Sequence, residues 1–171
     1  MESGLSFKAA IIGATGVIGR KLIDELMYTA ECELITILVR RKHDGWADPK
    51  YSGKLKIVEC GDLDKMHEHA NEFEGHDVFY CCLGSQVGKG KDLFIKVDKT
   101  YPLNFADIAK QNNAKLYVLV SSYGSDSKSS FLYLRTKGET EDELKAKGVN
   151  SVLICKPGML SGRGKDTRCQ E

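Results

Sequence analysis

Tyr133 and Lys137 stand four residues apart near the end of the chain, and the doublet Ser121-Ser122 precedes them, with an interval of eleven positions from Ser122 to Tyr133. On a helix, residues four apart share a face, with Cβ atoms about 6 Å from each other. A phenol loses its proton with a reference pKa of roughly 10, and a neighbouring ammonium favours the phenolate, so such a pair can act as a general acid or base nearer neutrality. A serine hydroxyl beside it can polarise the substrate oxygen that exchanges the proton. Tyr and Lys at this spacing also occur as ordinary surface pairs, so the chemical reading needs a reactive partner elsewhere in the chain.

The loop Gly13-Ala14-Thr15-Gly16-Val17-Ile18-Gly19 offers one. An apolar run, Phe7 to Ile12, leads into it, and Val17, Ile18, Leu22, Ile23, Leu26 and Met27 follow at helical spacing. Strand, glycine turn and helix in that order make a dinucleotide-binding unit. Gly13 permits the tight turn, Gly16 lets backbone approach a pyrophosphate, and Gly19 allows close packing of helix on strand, while the helix N-terminus offers free N–H groups to phosphate.

The next strand, Leu34 to Val39, ends at Arg40-Arg41-Lys42. A site for NAD would place a carboxylate here for the ribose 2′-hydroxyl, whereas a 2′-phosphate calls for cations that bind it bidentately. NADPH is therefore the expected cofactor, against the alternative that these residues form a solvated turn.

These groups need elements to carry them, and the chain supplies a regular alternation. Strands are predicted at Phe7–Ile12, Leu34–Val39, Leu55–Glu59, Asp77–Leu83, Lys115–Val120 and Ser151–Cys155, with helices over about 17–29, 63–73, 93–111 and 131–147. Lys42 to Lys54, with Asp44-Gly45 and Ser52-Gly53, reads as a loop. Such alternation implies an α/β fold of the Rossmann type, a doubly wound parallel sheet of about six strands covered on both faces. Ligands bind such sheets at the carboxyl ends of the strands. There lie Asp62, as an acceptor for an adenine amino group or as a helix N-cap, and Leu83-Gly84, where glycine lets a ribose and pyrophosphate pass close to backbone.

With 171 residues, 42% hydrophobic and 29% charged, the chain is expected to form a single nucleotide-binding domain over 1–171. No apolar run reaches the roughly 20 residues that span a bilayer, and no secretory signal pattern is visible. A net charge of +1 makes no electrostatic case for direct nucleic-acid binding. The six cysteines, among them Cys60, the adjacent Cys81 and Cys82, and Cys155, read as buried reduced thiols; neither they nor the four histidines have zinc-site spacing, so no metal is expected.

The GATGVIGR, Tyr133/Lys137 and Lys156-Pro157-Gly158 set resembles the short-chain dehydrogenase/reductase superfamily. The runs HDVFYCCLGSQVGKG, VDKTYPLNFADIAK, SSYGSDSKSSFLYLRTKGETE and KPGML are similar, more closely, to an atypical branch, the Tat-interacting protein oxidoreductase family. The resemblance runs from about Phe7 to Arg168. It implies NADPH held at Thr15, Gly16, Val17, Ile18, Arg40, Arg41, Leu83, Gly84, Tyr133 and Lys137, with Pro157, Gly158 and Leu160 beside them, and Tyr133 as proton donor or acceptor toward an unknown small carbonyl substrate. It also implies redox-linked regulation through protein partners in transcription, apoptosis and nuclear import. A cytoplasmic location, extending to the nucleus or nuclear envelope, is the corresponding expectation. Self-association stays open.

This sequence departs from the superfamily pattern in three places. Asp98 stands where an asparagine is usual in the helix after strand four, so a proton relay through that asparagine is not expected. The interval from Ser122 to Tyr133 is shorter than usual, which leaves Ser121 and Ser122 both eligible as the polarising hydroxyl. Family members continue well past the position of Glu171 to complete the sheet and the substrate pocket, so the expectation here is a whole cofactor half without its substrate-binding part.

Overall fold

The computed structural model describes residues 6–42, 44–158 and 160. His43 and the polar tail from 161 onward lie outside the described residues. Six strands, β1 (Phe7–Ile12), β2 (Cys32–Val39), β3 (Leu55–Glu59), β4 (Val78–Cys81), β5 (Leu116–Val120) and β6 (Val152–Cys155), form one sheet in the order β3-β2-β1-β4-β5-β6. Every pairing is parallel, for example Ile12 with Leu38 on one side and with Cys81 on the other. The order reverses between β1 and β4, and the crevice above that switch point is where such a sheet takes a ligand.

Alternation along β1 divides the core into two layers. Ala10 and Ile12 join Phe73, Phe79, Phe105 and Tyr117 on one face, while Ala9 and Ile11 join Ile23, Leu26, Ile35 and Ile37 on the other. Because both faces of β1 are covered, it reads as a continuous apolar run, and full burial of each large side chain contributes roughly 1.5–3 kcal/mol. The aromatic side of the core is dense, with Phe79 and Phe105 ring centroids 5.1 Å apart and Phe73 against Phe105 at 5.6 Å.

Helix α1 (Val17–Tyr28) follows the glycine loop, and Leu63–Phe73 winds in tight turns of the 3-10 type. The region expected as one helix over 93–111 is helical in three pieces: α2 (Lys91–Ile95), a π-helical turn (Lys96–Thr100) and α3 (Tyr101–Gln111). Pro102 at the start of α3 has no N–H to give the carbonyl of Asp98; the Thr140 hydroxyl lies 3.0 Å from that oxygen and 2.7 Å from the Thr136 carbonyl, between which its one proton is shared. Thr140 belongs to α4 (Leu132–Ala146), whose buried face is Thr136, Lys137, Gly138, Thr140, Glu141 and Leu144. A helix that buries so polar a face must find a partner for each group on it. Among the described cysteines only Cys32 and Cys81 are fully buried; Cys60 and Cys82 are half-buried, and Cys155 is exposed on β6, the last strand in the sheet order.

Candidate functional site

The glycine loop is shaped by contacts that no side chain would fit. Gly13 has φ +79°, and a Cβ there would stand 2.4 Å from the Cys82 carbonyl carbon, so the turn is wedged against the end of β4. A Cβ on Gly19 would fall 2.3 Å from the Gly13 oxygen. Gly16 differs: a Cβ added there would meet the Gly13 oxygen at 3.3 Å and otherwise only the distant Cys82 oxygen at 4.0 Å. Gly16 is the N-cap residue of α1, and no side chain caps that helix end. The first-turn N–H groups of Val17 and Ile18 thus lie beside the least crowded of the three loop glycines, an arrangement suited to phosphate. Thr15 is exposed in the same loop, its carbonyl accepting from Arg20 Nε at 3.0 Å.

Arg40 and Arg41 are both exposed directly after β2. Asp62 caps the following 3-10 segment, its carboxylate accepting from the Asp64 N–H at 2.9 Å. The N-cap alternative is thus the one the geometry realises. Leu83 and Gly84 leave β4, and Gly84 faces Asp98, whose Oδ1 would lie 3.8 Å from an added Cβ.

Tyr133 sits in the first turn of α4, partly exposed, with its ring 5.7 Å from that of Phe94 on α2. Lys137, one turn on, is only 4% exposed. Its ammonium is 2.7 Å from Asp98 Oδ1, and Asp98 Oδ2 accepts from the Ser85 N–H at 2.7 Å. One carboxylate therefore joins the loop after β4 to the helix that carries Tyr133. Lys99 adds to the junction from the same π turn by pairing with Glu139 and Glu143 on α4, each at 2.8 Å.

The two serines part company. Ser121 is buried and donates its hydroxyl to Glu141, whereas Ser122 is half-buried and contacts only the Tyr123 carbonyl, at 3.3 Å. The Ser121 hydroxyl proton is thus given to a carboxylate in this structure, whereas that of Ser122 is not. Pro157 and Gly158 follow β6, and the Pro157 carbonyl accepts from the Tyr123 N–H at 2.9 Å. Leu160 is half-buried. Burial pushes the thiols of Cys81 and Cys82, beside the glycine loop, up to about 11 and about 12, which disfavours the thiolate.

Sequence reasoning misses the partners of this site rather than its members. Asp98 stands out in the sequence only as a departure from a pattern, and Glu141 and Thr140 do not stand out at all. For Glu141 the available signal is the spacing 133, 137, 141 along one helix face.

An NAD(P)H-binding family model matches residues 13–170, nearly the whole chain. The chain belongs to the NAD(P)H-binding family. Within it, Protein HTATIP2 of Rattus norvegicus is 36% identical over 151 residues, covering 88% of this chain and 61% of its own length. The Tat-interacting resemblance is therefore borne out, and this chain spans about three fifths of that relative. Protein FMP52, mitochondrial, of Candida albicans is 35% identical over 160 residues, covering 92% of this chain and 69% of its own. Among solved structures, a putative NAD-dependent epimerase/dehydratase from Bacillus halodurans superposes with a TM-score of 0.74 at 23% identity, covering 91% of this chain and 72% of that one. UDP-glucuronic acid 4-epimerase from Bacillus cereus, in complex with NAD, gives 0.70 at 12% identity over 89% and 57%. At those identities the likeness establishes the Rossmann-type fold. The expected cytoplasmic and nuclear location does not stand, because FMP52 relatives, including one 35% identical to this chain, are named mitochondrial. Among the described residues no helix is long and apolar enough to cross a membrane, and no cluster of metal-ligating side chains occurs.

Proposed function

We propose that this member of the NAD(P)H-binding family takes NADPH in preference to NADH and works as a reductase of small carbonyl compounds. The observation that carries the cofactor choice is the exposed pair Arg40-Arg41 at the carboxyl end of β2, where an NAD site would need a carboxylate. Gly16 and the uncapped start of α1 support the pyrophosphate position, and Leu83-Gly84 with Pro157, Gly158 and Leu160 support the path of the nicotinamide half.

When bound, the dinucleotide supplies the hydride. Tyr133 donates a proton to the substrate oxygen, and Ser122, the hydroxyl not committed to Glu141, hydrogen-bonds that oxygen beforehand. Lys137 steadies the phenolate left behind and the nicotinamide ribose. Its ammonium is at the same time paired with Asp98 at 2.7 Å.

Fluorescence titration with NADPH and NADH tests the cofactor choice, and preference for NADH would overturn it. NADPH oxidation over a panel of ketones and aldehydes tests the chemistry: Tyr133→Phe is expected to cost about 10²-fold or more in turnover with cofactor binding retained. Equal turnover in the variant would remove Tyr133 from its role.

The shared charge on Lys137 also favours a second reading, a nucleotide-responsive interaction protein with little catalysis. That reading requires a defined protein partner to bind with different affinity in the presence and absence of NADPH. Identical affinity in both conditions would exclude it.

A further inference from the structure

Two segments that leave the sheet at the carboxyl ends of its strands, the connection after β5 and the segment after β6, meet on one buried carboxylate of α4. Glu141 lies two turns beyond Tyr133 on the same stripe of α4, and its side chain is 4% exposed. Its Oε1 accepts from the hydroxyls of Ser121, at the end of β5, and Ser125, in the loop before α4. Its Oε2 pairs with Lys156 Nζ, just after β6, at 2.6 Å. Burial by itself would raise this carboxyl, but the hydrogen bonds from Lys156, Ser121 and Ser125 outweigh it and hold the group below the usual carboxylate range.

Two backbone bonds close the same junction: Ser121 N–H to the Cys155 carbonyl at 2.8 Å and Tyr123 N–H to the Pro157 carbonyl at 2.9 Å. Gly138 completes it from the helix side, since a Cβ there would lie 2.1 Å from the Ser127 nitrogen. The loop is thus seated directly on α4, beside Lys137.

We propose that Glu141 is a positioning residue for the nicotinamide half of the site. It fixes Ser122 and the Lys156-Pro157-Gly158 segment relative to Tyr133 and Lys137. The role rests on the NADPH reading above, because Ser122 follows Ser121 and Pro157-Gly158 follow Lys156. Glutamine at this position keeps an oxygen for the serines but turns an uncharged amide toward the lysine, so it cuts the β6 arm selectively.

Two probes separate the halves of the site: NADPH, and adenosine 2′,5′-bisphosphate, which lacks the nicotinamide half. In Glu141→Gln, NADPH is expected to bind about ten-fold more weakly or worse, while the bisphosphate binds as it does to the unaltered chain. Lys156→Met, which removes the same arm from its half-exposed end, is expected to shift NADPH in the same direction with a smaller change. Equal weakening of both probes, together with a drop in melting temperature, would reduce Glu141 to a brace of the fold and overturn the proposal. Unchanged NADPH affinity in both variants would overturn it as well. Failure of the unaltered chain to bind NADPH at all would sink the nucleotide reading, and the positioning role with it.

Discussion

Lys137 and Asp98 form a buried ion pair, 2.7 Å from ammonium to carboxylate, with side chains 5% and 0% exposed. The pair joins α4 to the π-helical turn, and Asp98 reaches on to the Ser85 N–H in the loop after β4. Neither charge can be buried without the other, because a lone ion in such a place costs several kcal/mol of hydration.

Removal of one partner is therefore expected to be severe. Asp98→Ala should lower unfolding free energy by roughly 3–5 kcal/mol, whereas the double change Asp98→Leu with Lys137→Met should recover much of that loss while NADPH affinity stays reduced. Urea unfolding and NADPH titration of the three proteins check this; a double variant no more stable than Asp98→Ala would refute the account.

The glycine loop separates packing from ligand approach. Gly13→Ala meets the Cys82 backbone at 2.4 Å with φ at +79°, and should cost roughly 1–3 kcal/mol or more of stability. Gly16→Ala, with the Gly13 carbonyl oxygen 3.3 Å from the added methyl, should lower the melting temperature less than Gly13→Ala does, yet weaken dinucleotide binding. Calorimetric melting beside binding titration distinguishes the two, and equal effects on stability would contradict the division.

Arg40 and Arg41 carry the proposed phosphate preference. Arg40→Asp with Arg41→Ala should lower NADPH affinity by about ten-fold or more, equivalent to about 1.4 kcal/mol, and change NADH affinity far less. An equal loss for both nucleotides would show that these arginines do not sense the 2′-phosphate.

His76 sets a pH dependence at the opposite end of the strands. It is 3% exposed, with Nε2 2.8 Å from the Thr36 hydroxyl. Burial lowers its pKa most, with Lys8 and Lys56 adding in the same direction against the hydrogen bonds to the Glu74 and Phe73 backbone. The unfolded chain thus takes up a proton near pH 6.5 that the folded chain resists, so stability is full above that pH and declines below it by up to about 1.4 kcal/mol per pH unit. Urea midpoints between about pH 5 and 7.5 should show this slope in the unaltered chain and a flatter one in His76→Gln. The same slope in both would assign it to other groups.

The strands, the glycine loop and the Tyr133–Lys137 spacing are legible in the sequence because each has a local cause. β1 and β3 match their expected limits residue for residue, since apolar runs bounded by glycine and polar turns carry their own ends. The long helix expected over 93–111 is less so: a π turn interrupts it just before Pro102, which cannot donate to the Asp98 carbonyl, and Thr140, forty-two residues beyond Asp98, approaches that oxygen from another helix. The buried face of α4 is hidden for the opposite reason. Its members are largely Thr, Lys, Gly and Glu, which an apolar periodicity does not register, and their burial follows from partners on β5, β6 and the π turn.

By itself the sequence determined the Rossmann-type sheet, the glycine turn between β1 and α1 and the pair on α4, because hydrophobic periodicity, glycine stereochemistry and helical spacing act within a few residues. Only the tertiary structure decided that Ser121 serves Glu141 while Ser122 stays available, and that Lys137 answers to Asp98. Those assignments turn on which charged and hydroxyl groups are buried together, and burial is a property of the packed chain rather than of any one segment.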